Sequence, residues 1–461
     1  MAVLSRIVAA VRTRRTELTG WGRTAPSVAT LVDATEHELD IAAIAQHARG
    51  RGIIARGLGR AYGDPAQNAG GAVVRLQPGP IVLDPGRGEV TAGAGVGFDE
   101  LLRHLVPRGW FVPVTPGTRF VTVGGAIAAD IHGKNHHSDG SFGSHVTAIT
   151  LLLADGSRQR LTAESDPELW WATIGGMGLT GLVLDVTFRL IPIESSRCVV
   201  DTERVPNLDS LLERMESGDH RYRYSVAWVD LVATGSALGR SVLTRGDHAT
   251  LADLEDDPRA LDDPLSFRPP ALASVPRGVP NVLNRFSVSA FNELWYRKAP
   301  RSHRGLESIT GFFHPLDMVG SWNRLYGASG FLQYQFVIPF DAVDTLRTIV
   351  REVAASGHAS FLAVLKRMGD ANAAMPSFPQ PGWTLTMDLP AGVHGLGDLL
   401  ERLDGLVLGV GGRHYLAKDA TATPSMIRAE YPRLDEWLAV RRRVDPDGVW
   451  ASDQARRLDL V

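Results

Sequence analysis

A single cysteine, Cys198, in 461 residues excludes an intramolecular disulfide and any zinc or iron–sulfur centre built on cysteine. A formal net charge of -3 gives no general attraction to nucleic acid, so no nucleic-acid partner is expected. No run of roughly 18 predominantly apolar residues occurs, which excludes an obvious membrane-spanning helix. Near the start, Arg6 interrupts a short apolar stretch, and Arg12, Arg14 and Arg15 follow at the wrong end for an export signal. No export signal is expected, and the location reads as cytoplasmic or peripheral at a membrane. Two phosphate-binding patterns are also missing. Tyr62 stands where G-x-G-x-x-G needs a third glycine after Gly57 and Gly59, and Gly133-Lys134 is followed by Asn135 where a P-loop needs Ser or Thr.

Glycine is what the chain has in excess, 48 residues concentrated in a few loops. A chain of this length exceeds the ~250–300 residues at which one core stops growing, so two domains are expected. Over 34–49 the spacing predicts an amphipathic helix, followed by a strand at 52–56, strands at 81–84 and 89–96, and a helix over 98–108. Strands at 146–154 and 182–193 close a first domain, 1–195, of mixed α and β character. Beyond it, alternating segments such as 222–231 and 331–338 predict an antiparallel sheet in a second domain, 196–412. Thr423-Pro424 signals a helix start, threonine capping and proline at the first turn.

Three glycine clusters fall within 130 residues: 56–64, 117–143 and 175–181. Each lets backbone approach a ligand closely, and together they imply an extended one. The runs Arg56-Gly57-Leu58-Gly59-Arg60-Ala61-Tyr62-Gly63-Asp64, Pro116-Gly117-Thr118, Thr122-Val123-Gly124-Gly125-Ala126, His132-Gly133-Lys134-Asn135 and Gly175-Gly176-Met177-Gly178-Leu179-Thr180-Gly181 resemble the FAD domain of vanillyl-alcohol-oxidase-like flavoproteins. Within that superfamily the likeness is to the decaprenylphosphoryl-β-D-ribose 2′-oxidases, and it runs from Gly20-Trp21-Gly22 to Arg456-Arg457.

The resemblance implies an α+β fold of two parts, a PCMH-type FAD-binding domain and a substrate domain on an antiparallel sheet, with 413–461 returning to the first. It implies FAD contacts from Ala55, Arg56, Gly57, Leu58, Gly59, Arg60, Ala61, Tyr62, Gly63, Asp64, Gly117, Thr122, Val123, Gly124, Gly125, His132, Gly133, Lys134, Asn135, Val183 and Tyr415. Many relatives attach the flavin to a histidine of the first loop. Arg60 stands there, so non-covalent FAD is expected. Thr384 and Thr386 depart from the asparagine and cysteine of these oxidases.

The implied reaction oxidises the 2′-hydroxyl of a prenylphosphoryl ribose to the ketone, the first half of an epimerisation toward the arabinose donor of actinobacterial cell-wall arabinan. The resemblance also implies an NAD(P)H-dependent keto-reductase partner that completes it, and a place at the inner membrane with the periplasmic face as an alternative to the cytoplasmic one. The alternatives are a sugar-alcohol or aldonolactone oxidase on a soluble substrate, or a flavin-binding scaffold without turnover.

Hydride loss from an alcohol also needs an acceptor for the hydroxyl proton. The resemblance points to Lys418, with His132 and Lys366 nearby and Gln335, Lys134 and Tyr62 toward the substrate; Trp228 and Phe313 are wall candidates. A single lysine is ordinarily solvated, and the resemblance is what singles out Lys418. His132, His136 and His137 lack a second ligand cluster, so no metal is expected.

Residues 253–263 carry six acids against one Arg, whereas 265–304 carry seven basic residues against Glu293 alone. The basic part reads as an irregular, mobile, partly apolar loop, either a disordered surface excursion or a surface that meets anionic lipid headgroups and admits a polyprenyl phosphate.

Overall fold

The computed structural model describes residues 12–48, 50–270, 273–358 and 360–461. Residues 1–11, which carry most of the export-signal reading, and Ala271 and Leu272 of the basic segment lie outside the described residues.

The first part is built on two sheets. One runs in spatial order Arg12–Leu18, Ser27–Ala34, Ala72–Leu76 and Ile53–Ala55, its last two pairings parallel. The other, antiparallel, runs Ile81–Asp84, Glu89–Gly93, Leu182–Arg189, Val146–Leu152 and Arg158–Leu161. The second part is an eight-stranded sheet in the order Ser302–Ser308, Arg197–Val205, Ser241–His248, Tyr224–Val229, Ala363–Met368, Gly382–Pro390, Phe331–Ile338 and Arg413–His414. Every pairing in it is antiparallel.

Side-chain alternation in this large sheet decides where the site forms. On Gly382–Pro390, Trp383, Leu385, Met387 and Leu389 join a core with Leu346, Ile349 and Val353 of one helix and Leu399 and Leu403 of another. Each such buried aliphatic side chain contributes about 1.5–3 kcal/mol. With a period of two, Thr384, Thr386 and Asp388 must face the other way. The neighbouring strand repeats the pattern, with Tyr334, Phe336 and Ile338 in that core and Gln333 and Gln335 opposite. The sheet thus turns a buried polar face toward the first part of the chain.

The chain end packs there too. Trp450 bridges to Ile53, and Arg457 pairs with both Asp64 (2.6 Å) and Asp419 (2.9 Å). Thr423 caps the helix Pro424–Glu430, accepting a bond from Met426 N–H.

Three sequence expectations need correction. The helix over 34–49 is only Ile41–His47, because Ala34 ends a strand and Asp40 caps the helix by accepting from Ala43 N–H at 3.0 Å. The strand 89–96 stops at Gly93, where Val96 N–H turns back to the Gly93 carbonyl. Residues 265–304 are not one irregular loop: Arg285–Lys298 is a 14-residue helix capped by Asn284, and Ser302 opens an edge strand.

Candidate active site

A cavity of about 1090 Å³ lies between the glycine loops and the polar face of the large sheet. Close packing explains glycines of the first loop. A Cβ on Gly57 would stand 2.2 Å from Thr122 Oγ1, and one on Gly63 would stand 1.9 Å from the Asp419 carbonyl oxygen. Arg56 ties the loop down by donating to the Ala66 (3.0 Å) and Thr19 (2.7 Å) carbonyls.

Other glycines leave room for a ligand. A Cβ on Gly117 would meet nothing within 4 Å, and one on Gly125 would meet only Thr122 Oγ1. Arg60 lies 3.8 Å above the Trp21 ring with its buried Nε unpartnered. Open glycine faces, an unused buried donor and apolar Met177, Leu182 and Val183 on one wall fit a large, flat, anionic group such as FAD.

Of the residues expected at the cofactor, Ala55 through Tyr62, Gly117, Thr122, Gly124, Gly125, His132, Gly133, Lys134, Val183 and Tyr415 line the cavity. Four lie behind its wall. Asp64 is held by Arg457, Val123 is core, Asn135 donates to the Pro113 carbonyl and Asp139, and Gly63 packs on the Asp419 backbone.

The sheet side carries the titratable groups. Lys366 Nζ lies 3.4 Å from His132 Nδ1, and Lys418 Nζ lies 5.8 Å from the Tyr62 ring centroid. Burial brings Lys418 and Lys366 down to about 7, reinforced at Lys418 by the charge of Lys366 and at Lys366 by that of Lys134; Asp388 opposes this at Lys418. Burial also takes Lys134 to about 8, with its ammonium bonded to the Phe312 carbonyl. His132 is held well below its usual range by burial and the two lysines, and Tyr62 well above its own by burial and Asp388.

Gln335 does not reach the cavity wall. It sits behind His132, its Nε2 3.0 Å from His132 Nε2 and 2.9 Å from Thr384 Oγ1. Trp228 and Phe313 are wall residues as expected. His136 and His137 hold loops, accepting from Gly369 N–H and bonding the Asp219 and Tyr222 carbonyls. Among the described residues no cluster of three His, Cys, Asp or Glu could hold a metal.

The sequence reading missed Gln333 and Asp388, whereas Thr386, singled out there as a departure bearing on pocket shape, has an unpartnered hydroxyl. Gln333 and Thr386 line the cavity, and Asp388 accepts from Gln333 and from Tyr326 OH at 3.3 Å. Burial pushes Asp388 up to about 7, against the pull of Gln333 and Lys418. The signal was available as polar residues at every second position of two otherwise apolar strands, Q-x-Q and T-x-T-x-D.

Residues 29–162 match the FAD binding domain family, and residues 389–458 match the D-arabinono-1,4-lactone oxidase family. Decaprenylphosphoryl-beta-D-ribose oxidase of Mycolicibacterium smegmatis is 47% identical over 454 residues, 96% of this chain and 97% of that protein. The chain belongs to the decaprenylphosphoryl-β-D-ribose oxidase family. Members of this family are FAD-dependent oxidoreductases of two-part α+β fold, and so is this chain. An uncharacterised Streptomyces coelicolor protein is 40% identical over 78% of this chain and 99% of its own length. The Eremothecium gossypii D-arabinono-1,4-lactone oxidase is 29% identical over only 28% of this chain and 24% of that protein.

Proposed function

We propose that this enzyme oxidises the 2′-hydroxyl of decaprenylphosphoryl-β-D-ribose to the 2′-ketone, the first half of an epimerisation that supplies arabinose for actinobacterial cell-wall arabinan. The observation that carries it is the facing of an open glycine-lined wall by two lysines, Lys418 and Lys366, both near 7. FAD, bound along the glycine wall without a covalent link because Arg60 replaces the attaching histidine, supplies the hydride acceptor. Lys418 takes the hydroxyl proton, since a base near neutrality combines availability with driving force. Lys366 and His132 orient the sugar hydroxyls or phosphate, Lys134 adds positive charge on the same side, and Tyr62 packs beneath Lys418. Asp388 acts on Lys418 through its charge, favouring the protonated lysine.

A lipid-linked substrate fits the rim of the cavity. Helix Arg285–Lys298 lines it with Phe291 and Trp295, while Phe286 and Leu294 on the same helix are 89% and 69% exposed. Arg285, Arg297 and Lys298 lie on the same helix and Arg301 and Arg304 follow it in the chain, with Arg297 paired to Glu293 and Arg304 to Asp201. This surface suits a peripheral contact with an anionic membrane; among the described residues no helix is long and apolar enough to cross one. The ketone requires a separate NAD(P)H-dependent reductase as partner. The test is anaerobic flavin bleaching with a panel of prenylphosphoryl ribose, free alditols and aldonolactones. Bleaching by the prenylated ribose alone is expected, and bleaching by the soluble sugars alone would replace this reading with the lactone-oxidase one.

A further inference from the structure

Behind Lys418 lies a second, much smaller cavity of about 20 Å³, space for a single water. Gln333, Tyr415 and Lys418 border both cavities and form the partition between them. The far side of the small cavity is formed by Asp404, His414 and Thr421. Thr421 is exposed, and the Asp404 side chain is 14% exposed, so this side meets solvent.

The far wall is a built polar network. Asp404 Oδ1 accepts from Tyr334 OH at 2.8 Å and lies 3.3 Å from His414 Nε2, which is 2.7 Å from the same hydroxyl. His414 Nδ1 bonds the fully buried Glu430, which also accepts from His414 N–H at 2.9 Å. Both Asp404 contacts fall on Oδ1, and Oδ2 is the oxygen we assign to the water. Asp419, the other carboxylate on this cavity, is neutralised by Arg457. On the large-cavity side, the charged groups acting on Lys418 are Lys366 and Asp388.

We propose that this small cavity holds the water that carries the substrate's hydroxyl proton from Lys418 to Asp404 and on to solvent. The inference rests on Lys418 being the base. In the forward step the alcohol loses its carbon-bound hydrogen as hydride to FAD and its O–H proton to Lys418 Nζ. With ligand filling the large cavity, the ammonium cannot lose that proton the way the substrate entered. It passes one proton to the water, the water passes one to Asp404, and Asp404 releases it outside, so the amine is restored with no net change in the relay. The network of Glu430, His414 and Tyr334 fixes Asp404 as the acceptor, which makes Asp404 a positioning and relay residue.

Asp404→Asn removes the relay, and Thr421→Phe places an apolar ring over the solvent mouth of the water site while leaving every residue of the network in place. Each is compared with wild type in anaerobic single-turnover flavin reduction by prenylphosphoryl ribose and in steady-state turnover with saturating dye acceptor. The first reduction should stay near wild type. Steady-state turnover should fall about tenfold, less than the ~10²–10⁴-fold cost of losing a base, with a larger solvent isotope effect and recovery on adding imidazole or formate. Unchanged turnover and isotope effect in Asp404→Asn would overturn the relay; should that variant not fold, the same result in Thr421→Phe decides. Failure of the underlying reading is distinct, since Lys418→Ala would then reduce its flavin normally.

Discussion

Gln335 Nε2 lies 3.0 Å from His132 Nε2 while also donating to Thr384 Oγ1, whose own proton is committed to the Phe336 carbonyl. The glutamine must therefore present its amide N–H groups to both partners, which leaves His132 Nε2 unprotonated and places the ring proton on Nδ1. Nδ1 faces Lys366 Nζ at 3.4 Å, a pairing that favours the neutral form of Lys366, in line with its lowered pKa. Gln335→Glu should reverse it: a carboxylate would favour a protonated His132 beside a lysine. Flavin reduction is expected to slow about 10–100-fold with FAD content intact, since the oriented imidazole is lost. A reduction rate equal to wild type would remove this orientation from the mechanism.

The glycine wall gives a pair of opposite outcomes. Gly117→Val adds a side chain where no protein atom lies within 4 Å, so the apoprotein should melt as wild type yet retain little FAD after gel filtration. Gly57→Ala forces a Cβ against Thr122 and should lower apoprotein stability by about 1–3 kcal/mol. Acid precipitation of the wild type should release all its FAD. Full retention in Gly117→Val would move the flavin elsewhere.

His414 predicts an alkaline loss of stability. Burial alone would lower its pKa, but hydrogen bonds and charge from Asp404 and Glu430 override this and raise it from 6.5 to about 9. A raised folded-state value means stabilisation fully present below about 6.5 and lost as pH rises through about 9. The buried lysines have the opposite sign, so the informative quantity is the difference between wild type and His414→Gln. That difference in unfolding free energy should be about 1–3 kcal/mol at pH 6, shrinking toward pH 9.5. A pH-independent difference would mean His414 is not held as the cation.

The exposed helix residues predict lipid binding. Phe286→Ser with Leu294→Ser should weaken sedimentation with vesicles containing phosphatidylglycerol by about tenfold or more, given ~1.5–3 kcal/mol per large apolar side chain, while reduction by a short-chain substrate is unchanged. Equal vesicle binding by wild type and the double variant would remove this helix from the membrane contact.

Much of this was legible because it is local. Strand Phe331–Ile338 and the Thr423 cap follow from spacing and residue type within a few positions, and the glycine loops show their density directly. What was not legible depends on partners far along the chain. Gln333 and Asp388, 55 residues apart, meet only because their two strands pair in register. Gln335 shares a face with Gln333 but is screened by His132, from 203 residues away. Helix Arg285–Lys298 lacks one apolar stripe, since Val288 and Asn292 turn inward while Phe286 and Leu294 turn out, and this hid its periodicity.

The most direct test of the account is stopped-flow anaerobic reduction of Lys418→Ala by prenylphosphoryl ribose. Wild-type reduction should accelerate as pH rises through about 7, where Lys418 becomes the neutral base. The variant should bind FAD normally, lose that pH dependence and reduce at least about 10²-fold more slowly. A limiting reduction rate near wild type, with the pH dependence retained, would contradict the assignment of Lys418 as the base.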